Sequence, residues 1–229
     1  WEREGNNLDF DTRRRGIGVT FGKNFTDRVK GTIGYTIEDV KVSNVSTDAH
    51  IDVLAMDKNP LLSRAKVGAS YDSRDNVFAP KKGCYINGSA ELVGSYIGGD
   101  EDYYIFQAGA AQYFNIVKEH VIELKGRFGV MNEFGDSSQV PVYDRFFAGG
   151  LGSVRGFNYR RVGPKGGGDA IGGETLAVGS VEYTFPIIEH FKGALFVDAG
   201  HVNPNFFEVE VSEFSVSVGP GLKINTPLG

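Results

Sequence analysis

The sequence has little of what most enzymatic or binding functions require. A single cysteine, Cys84, stands among 229 residues, which excludes an internal disulfide and a cysteine-only metal cluster. No run of eighteen apolar residues occurs, so no transmembrane helix is expected. A basic excess is missing too: 24 Lys and Arg face 29 Asp and Glu, for a net charge of -5. Nucleic acid is therefore not an expected partner. The four histidines, His50, His120, His190 and His201, lie far apart in different turns, so no metal site is expected. His50 sits near Asp48 and Asp52, which suits a solvated external loop better than a ligand set. No G-x-S-x-G elbow occurs, and nothing nominates a Ser/His/acid set. The run Gly163-Pro-Lys-Gly-Gly-Gly168 lacks the spacing and the following helix of a phosphate loop, and reads as a flexible segment. No catalytic residue and no cofactor are expected.

What is present is glycine, aromatics and alternation. The chain holds 32 Gly, 17 Phe and 10 Tyr, with a mean hydropathy of -0.21. That index is typical of soluble proteins, but a membrane barrel gives it too, because half of each strand faces lipid and half a polar lumen. Glycine suits tilted, crowded strands, and aromatics suit interfacial girdles. Phe214, Val216, Val218, Leu222 and Ile224 fall on one strand face, opposite Ser215, Ser217, Gly219, Gly221, Lys223 and Asn225. That length matches a tilted membrane strand of about 9–11 residues.

Ile122, Leu124, Phe128 and Val130 likewise alternate with Glu123, Lys125 and Arg127. Three charges on one face require water or ion pairing, which a packed sandwich core does not supply. The same period recurs in Ile17/Val19/Phe21, in Ile33/Tyr35/Ile37 against Thr32/Thr36/Glu38, in Val67/Ala69/Tyr71 against Lys66/Ser70/Asp72, and in Ile86/Ala90/Leu92 against Asn87/Ser89/Glu91. Segments 103–115, 175–185 and 194–202 complete about nine clear strands, with further candidates at 2–11 and 144–149. Cys84 carries outward parity and reads as a small apolar residue facing lipid.

The connections alternate in length. Short ones fall at 24–27, 75–83, 115–120 and 186–192, longer ones at 43–63, 134–174 and 203–212, with 97–102 shorter than its class. Outer-membrane barrels put short turns on one side of the membrane and long loops on the other. No heptad, solenoid or low-complexity tract interrupts this pattern, so residues 1–229 read as one domain. Both ends look cut, which points to a fragment of a larger barrel.

The longest loop is the most informative. It runs Tyr143-Asp-Arg-Phe-Phe-Ala-Gly-Gly150, then Leu151-Gly-Ser-Val-Arg-Gly-Phe157, then Val162-Gly-Pro-Lys165 and Asp169-Ala-Ile-Gly-Gly173. Gly156 beside Arg155 permits tight backbone placement, and Phe157 is poorly suited to open water. The loop is therefore expected to pack into the lumen. With Tyr71-Asp-Ser-Arg-Asp-Asn-Val-Phe-Ala-Pro-Lys-Lys-Gly83, Phe196-Val-Asp-Ala-Gly200 and Ile224-Asn-Thr-Pro-Leu-Gly229, this series resembles the BamA-type outer-membrane insertase superfamily over essentially the whole chain. The motifs stand in the family's order.

The resemblance implies an all-β fold, an antiparallel transmembrane β-barrel of which this C-terminal domain fragment holds about ten of roughly sixteen strands. It implies an external loop folded into the lumen, with Val154, Arg155, Gly156 and Phe157 as its V-R-G-F motif. Arg155 is then expected to reach Asp198 and Glu182 on the inner wall, with Phe196 and Gly200 supporting. A guanidinium fork can engage two carboxylates, which an ammonium does not imitate. The implied activity is folding and inserting β-barrel proteins into the bacterial outer membrane, without catalysis of a covalent step. The implied partners are the lipid bilayer, unfolded outer-membrane protein clients and accessory assembly lipoproteins. A two-partner-secretion translocase of the same superfamily shares these motifs and stays open as the alternative. The POTRA repeats that would separate the two are absent from this chain.

Overall fold

The computed structural model describes residues 2–6, 10–56, 59–166, 169–188 and 191–224. The segment 225–229, which carries most of one family-like motif, lies outside the described residues, as does His190.

Alternation of apolar and polar side chains produces long strands, and these pair in chain order. They are β1 (Glu2–Asn6), β2 (Asp11–Asn24), β3 (Val29–Ser43), β4 (Leu61–Asp72), β5 (Gly83–Val93), β6 (Tyr103–Val117), β7 (His120–Glu133), β8 (Lys165–Gly166), β9 (Asp169–Ala170), β10 (Thr175–Ile188), β11 (Phe191–Asn203) and β12 (Ser215–Ile224). One ten-stranded sheet runs β1-β2-β3-β4-β5-β6-β7-β10-β11-β12, every neighbour antiparallel. β8 and β9 form a separate two-stranded hairpin inside the long loop. That insertion is why β7 pairs with β10. No helix among the described residues is long and apolar enough to cross a membrane. Among the described residues one short α-helix occurs, α1 (Ile51–Leu54), in the β3–β4 loop.

The two faces separate as the parity predicts. Ile17, Val19, Phe21, Ile33, Ile37, Val67, Ile86, Phe106, Leu124, Val181, Leu195, Val197, Val216, Val218 and Leu222 form an exposed apolar outer face. The inner face carries Arg14, Glu38, Arg64, Glu91, Glu123, Glu182, Asp198 and Lys223, joined by ion pairs. Towards the long-loop end the inner face turns apolar. There Val40, Leu62, Val93, Tyr103 and Met131 pack with Val140, Val142, Phe146 and Val154 of the loop. Each such side chain contributes about 1.5–3 kcal/mol when fully buried. The hydrophobic core is therefore made between a loop and the wall of the sheet.

Two strand expectations change. Segment 2–11 is not one strand: it holds β1, then the first residue of β2. Segment 144–149 is not a strand of the sheet. Phe146 and Ala148 make only isolated bridges, to Gly173 and Val162, because this segment pairs within its own loop. Cys84 shares the parity of outward Ile86, but it is half-buried with its Sγ 3.4 Å from Ser73 Oγ.

Candidate functional site

The loop between β7 and β10, residues 134–174, crosses the inner face and is anchored at both sides. Its Val154 is fully buried, packed so close to Gly200 of β11 that a Cβ there would lie 2.4 Å from Val154 Cγ2. Gly156 adopts φ 85°, a conformation that other residues reach only with strain. Between them Arg155 turns to the wall. Its Nε and Nη2 both donate to Asp198, at 2.7 Å each, and its backbone N–H donates to the same carboxylate at 3.0 Å. Nη1 donates to Glu182, and Nη2 also reaches Ser180 Oγ at 3.1 Å. Ser180 in turn donates to Asp198 at 2.6 Å. The guanidinium lies 3.6 Å from the centroid of the Phe196 ring.

This geometry uses what arginine alone offers: a planar fork for a bidentate carboxylate, donors left for a second acid, and a flat face for an aromatic ring. Asp198 and Glu182 have side chains only 1% and 6% exposed, so each needs a cation. Lys223 of β12 supplies the second one, to Glu182. The structure thus brings together Arg155, Asp198, Glu182 and Phe196, while Val154 and Gly200 pack beside them. Phe157 is the exception in degree: it is half-buried against the core, and Val154 is the fully buried residue of the motif.

The opposite anchor is one that sequence reasoning did not find. Asp144, eleven residues before Arg155 in the loop, reaches the wall of β2 to β6. It accepts from Arg14 at 2.9 Å, from Arg64 and from Tyr103 Oη. Arg14 also donates to the Tyr143 carbonyl at 3.2 Å and lies over the Tyr143 ring. Glu38 of β3 joins Arg64 at 2.6 Å and Arg14 at 3.3 Å, and Glu91 of β5 joins Arg64 at 2.9 Å and Lys66 at 3.2 Å. Three cations, Arg14, Arg64 and Lys66, therefore meet three carboxylates. Burial alone would raise the Asp144 pKa, but Arg64 and Arg14 outweigh it and hold the group down at about 2. The loop meets one wall with an arginine and the other with a carboxylate. The only sequence signal was Tyr143-Asp-Arg inside the motif-rich loop; no spacing rule links Asp144 to Arg14, 130 positions away.

Among the described residues no group of three or more His, Cys, Asp or Glu is placed to hold a metal.

The Omp85 superfamily domain matches residues 2–229. The chain belongs to the Omp85 superfamily. A BamA outer membrane protein assembly factor of Nitratidesulfovibrio vulgaris is 29% identical over 86% of this chain and 25% of its own length. A SAM50-like protein of Schizosaccharomyces pombe is 32% identical over 68% of this chain and 36% of its own. The chain thus spans about a quarter to a third of these relatives. The crystal structure of Haemophilus ducreyi BamA lacking POTRA domains 1-3 superposes with a TM-score of 0.83 at 22% identity, covering 99% of this chain and 51% of that one. CdiB from Acinetobacter baumannii superposes with 0.52 at 16% identity, over 95% and 37%. This Omp85 chain is accordingly an outer-membrane protein whose antiparallel sheet is a segment of a BamA-like barrel.

Proposed function

We propose that this chain is part of the C-terminal barrel of an outer-membrane protein assembly factor, which folds and inserts other β-barrel proteins. The observation that carries the reading is the 29% identity to a BamA assembly factor across 86% of the chain. The clients would be unfolded outer-membrane proteins, and accessory assembly lipoproteins would bind other parts of the full protein. Insertion makes and breaks no covalent bond. It requires a stiff wall of fixed shape and an apolar exterior that disturbs the lipid beside it.

In this reading Arg155 with Asp198 and Glu182 is a structural latch, and the Asp144 contacts extend it into a strut between two walls. The strut would hold the inner wall in one shape while the outer face engages lipid and client. Two-partner secretion by the same superfamily is the competing function.

Depletion of the full-length protein in its host separates the two. Loss of many unrelated outer-membrane proteins is the expected result. Loss of a single secreted protein, with the others inserted normally, would replace the assembly reading with secretion.

A further inference from the structure

The β11–β12 connection, residues 204–214, does not join the long loop on the inner face. It folds back over the outer face. Thr175 Oγ1 donates to the Asn205 carbonyl at 2.8 Å, and the Asn205 N–H donates to Asn203 Oδ1 at 2.8 Å. Phe206 then meets Tyr104 of β6 edge-on at 6.0 Å, and Phe207 meets Phe128 of β7 at 5.9 Å. Tyr104 and Phe128 point outward, since their neighbours Tyr103 and Arg127 point inward to Asp144 and to the Gly152 carbonyl. On the return, Phe214 stacks on His201 at 5.6 Å.

Burial records the same path. Thr175 is 0% and Val130 5% exposed, although both have outward parity on a face that elsewhere leaves its large apolar residues open. Val130 also has no place in the buried cluster of the inner face. Its parity puts its cover on the outer side, where the strap meets Phe128 of the same strand and Thr175, the pairing partner of Val130.

The strap's own outer surface is apolar: Phe206, Phe207, Val209 and Val211 are 43%, 66%, 43% and 83% exposed. Its charges are Glu208, Glu210 and Glu213, with no Lys or Arg between residues 204 and 214. Four exposed apolar side chains in so short a segment mark a contact surface. The missing basic residues argue against a polyanionic partner. The surface continues directly into the apolar outer face of β6 and β7 through Tyr104 and Phe106.

We propose that residues 204–214 form a lipid-contact strap, seating Phe206, Phe207, Val209 and Val211 in the membrane at the boundary between hydrocarbon and headgroups. Aromatic side chains concentrate at that depth because a polarisable ring tolerates both environments. The strap adds apolar contact at the rim of the sheet, above β7 and β10, whose far side carries the long loop.

The test uses the full protein in phosphatidylcholine vesicles, with Phe207→Trp and Val211→Trp made separately in a background where Trp1 and every other Trp of the full protein are replaced by Phe. Acyl-brominated lipid is expected to reduce emission of both about twofold, as for a residue of the interfacial girdle, with little quenching by acrylamide. Tyr159→Trp, on the long loop, should instead answer to acrylamide. Val211→Trp replaces a side chain 83% exposed, so it reports even where Phe207→Trp disturbs packing. Quenching by acrylamide alone would place the strap in water, and shielding from both quenchers would place it under a protein partner. Either result overturns the proposal.

Discussion

At the residue scale, Arg155 and Asp144 solve one problem with opposite charges. A charged group inside a barrel is stabilised only when its partners are fixed in place and its remaining donors or acceptors are satisfied. Arg155 achieves this with two acids, a hydroxyl and a ring, and Asp144 with two arginines and a phenol. Glu174, at the foot of the same loop, is different. Burial first, and then the neighbouring Glu133, push its pKa up to about 7, with Arg145 opposing and Asp52 reinforcing. A carboxyl raised above its ordinary value of 4.5 favours folding in its protonated form. Its contribution is complete below the ordinary value and is lost as pH rises through about 7. Proteolysis of the 134–174 loop should therefore be slower at pH 5 than at pH 8, and Glu174→Gln should flatten that dependence. An unchanged pH profile in Glu174→Gln would show that Glu174 does not set it.

At the scale of the element, the loop behaves as a strut with two feet. Removing one partner of a buried pair leaves the other charge uncompensated and typically costs about 3–5 kcal/mol. Arg155→Ala strands Asp198 and leaves Glu182 with Lys223 alone. Arg155→Lys should recover little, because an ammonium replaces neither the bidentate fork nor the flat contact with Phe196. Asp144→Ala strands Arg14 and Arg64 only in part, since Glu38 and Glu91 remain beside them, so its effect should be the smaller. In a double-mutant cycle read by protease protection of the loop, the two feet should couple, because each holds the same segment down. Protection of Arg155→Ala equal to that of the parent would remove the latch from the account. Strict additivity would make the feet independent.

At the scale of the molecule, the sheet is an inverted globule. Across the middle of the sheet its apolar residues point outward and its ion-paired charges point in, and among the described residues its apolar core lies where loop meets wall. Val197, midway along β11 and paired with outward Val181 and Val218, lies within the apolar band. Val197→Arg should destabilise the protein in bilayers by about 2–4 kcal/mol, the depth-dependent cost at the midplane. Urea titration in lipid vesicles measures this, and a loss well below 1 kcal/mol would show that the position does not face hydrocarbon.

The strands were legible in single segments because a period of two is local, and the outward exposure expected of Ile17, Phe21, Val67, Ile86, Leu124, Val216 and Leu222 holds in the structure, whereas Val130 is buried and Cys84 half-buried. The Arg155 contact was legible only through resemblance: parity put Asp198 and Glu182 on the inner face, but no local rule chooses which carboxylate a distant arginine meets. Asp144 escaped for the same reason, its partners Arg14, Arg64 and Tyr103 lying 130, 80 and 41 residues upstream on three different strands. The outward fold of residues 204–214 escaped because a loop carries no periodicity to mark its side of the sheet. Alternation, glycine and the missing apolar helix thus determined what kind of wall this chain builds. Tertiary structure alone decided where the two loops go, one clamped across the inside by ion pairs and the other laid over the outside on aromatic rings. Those contacts join residues that sequence distance keeps apart and only the pairing of ten strands brings near.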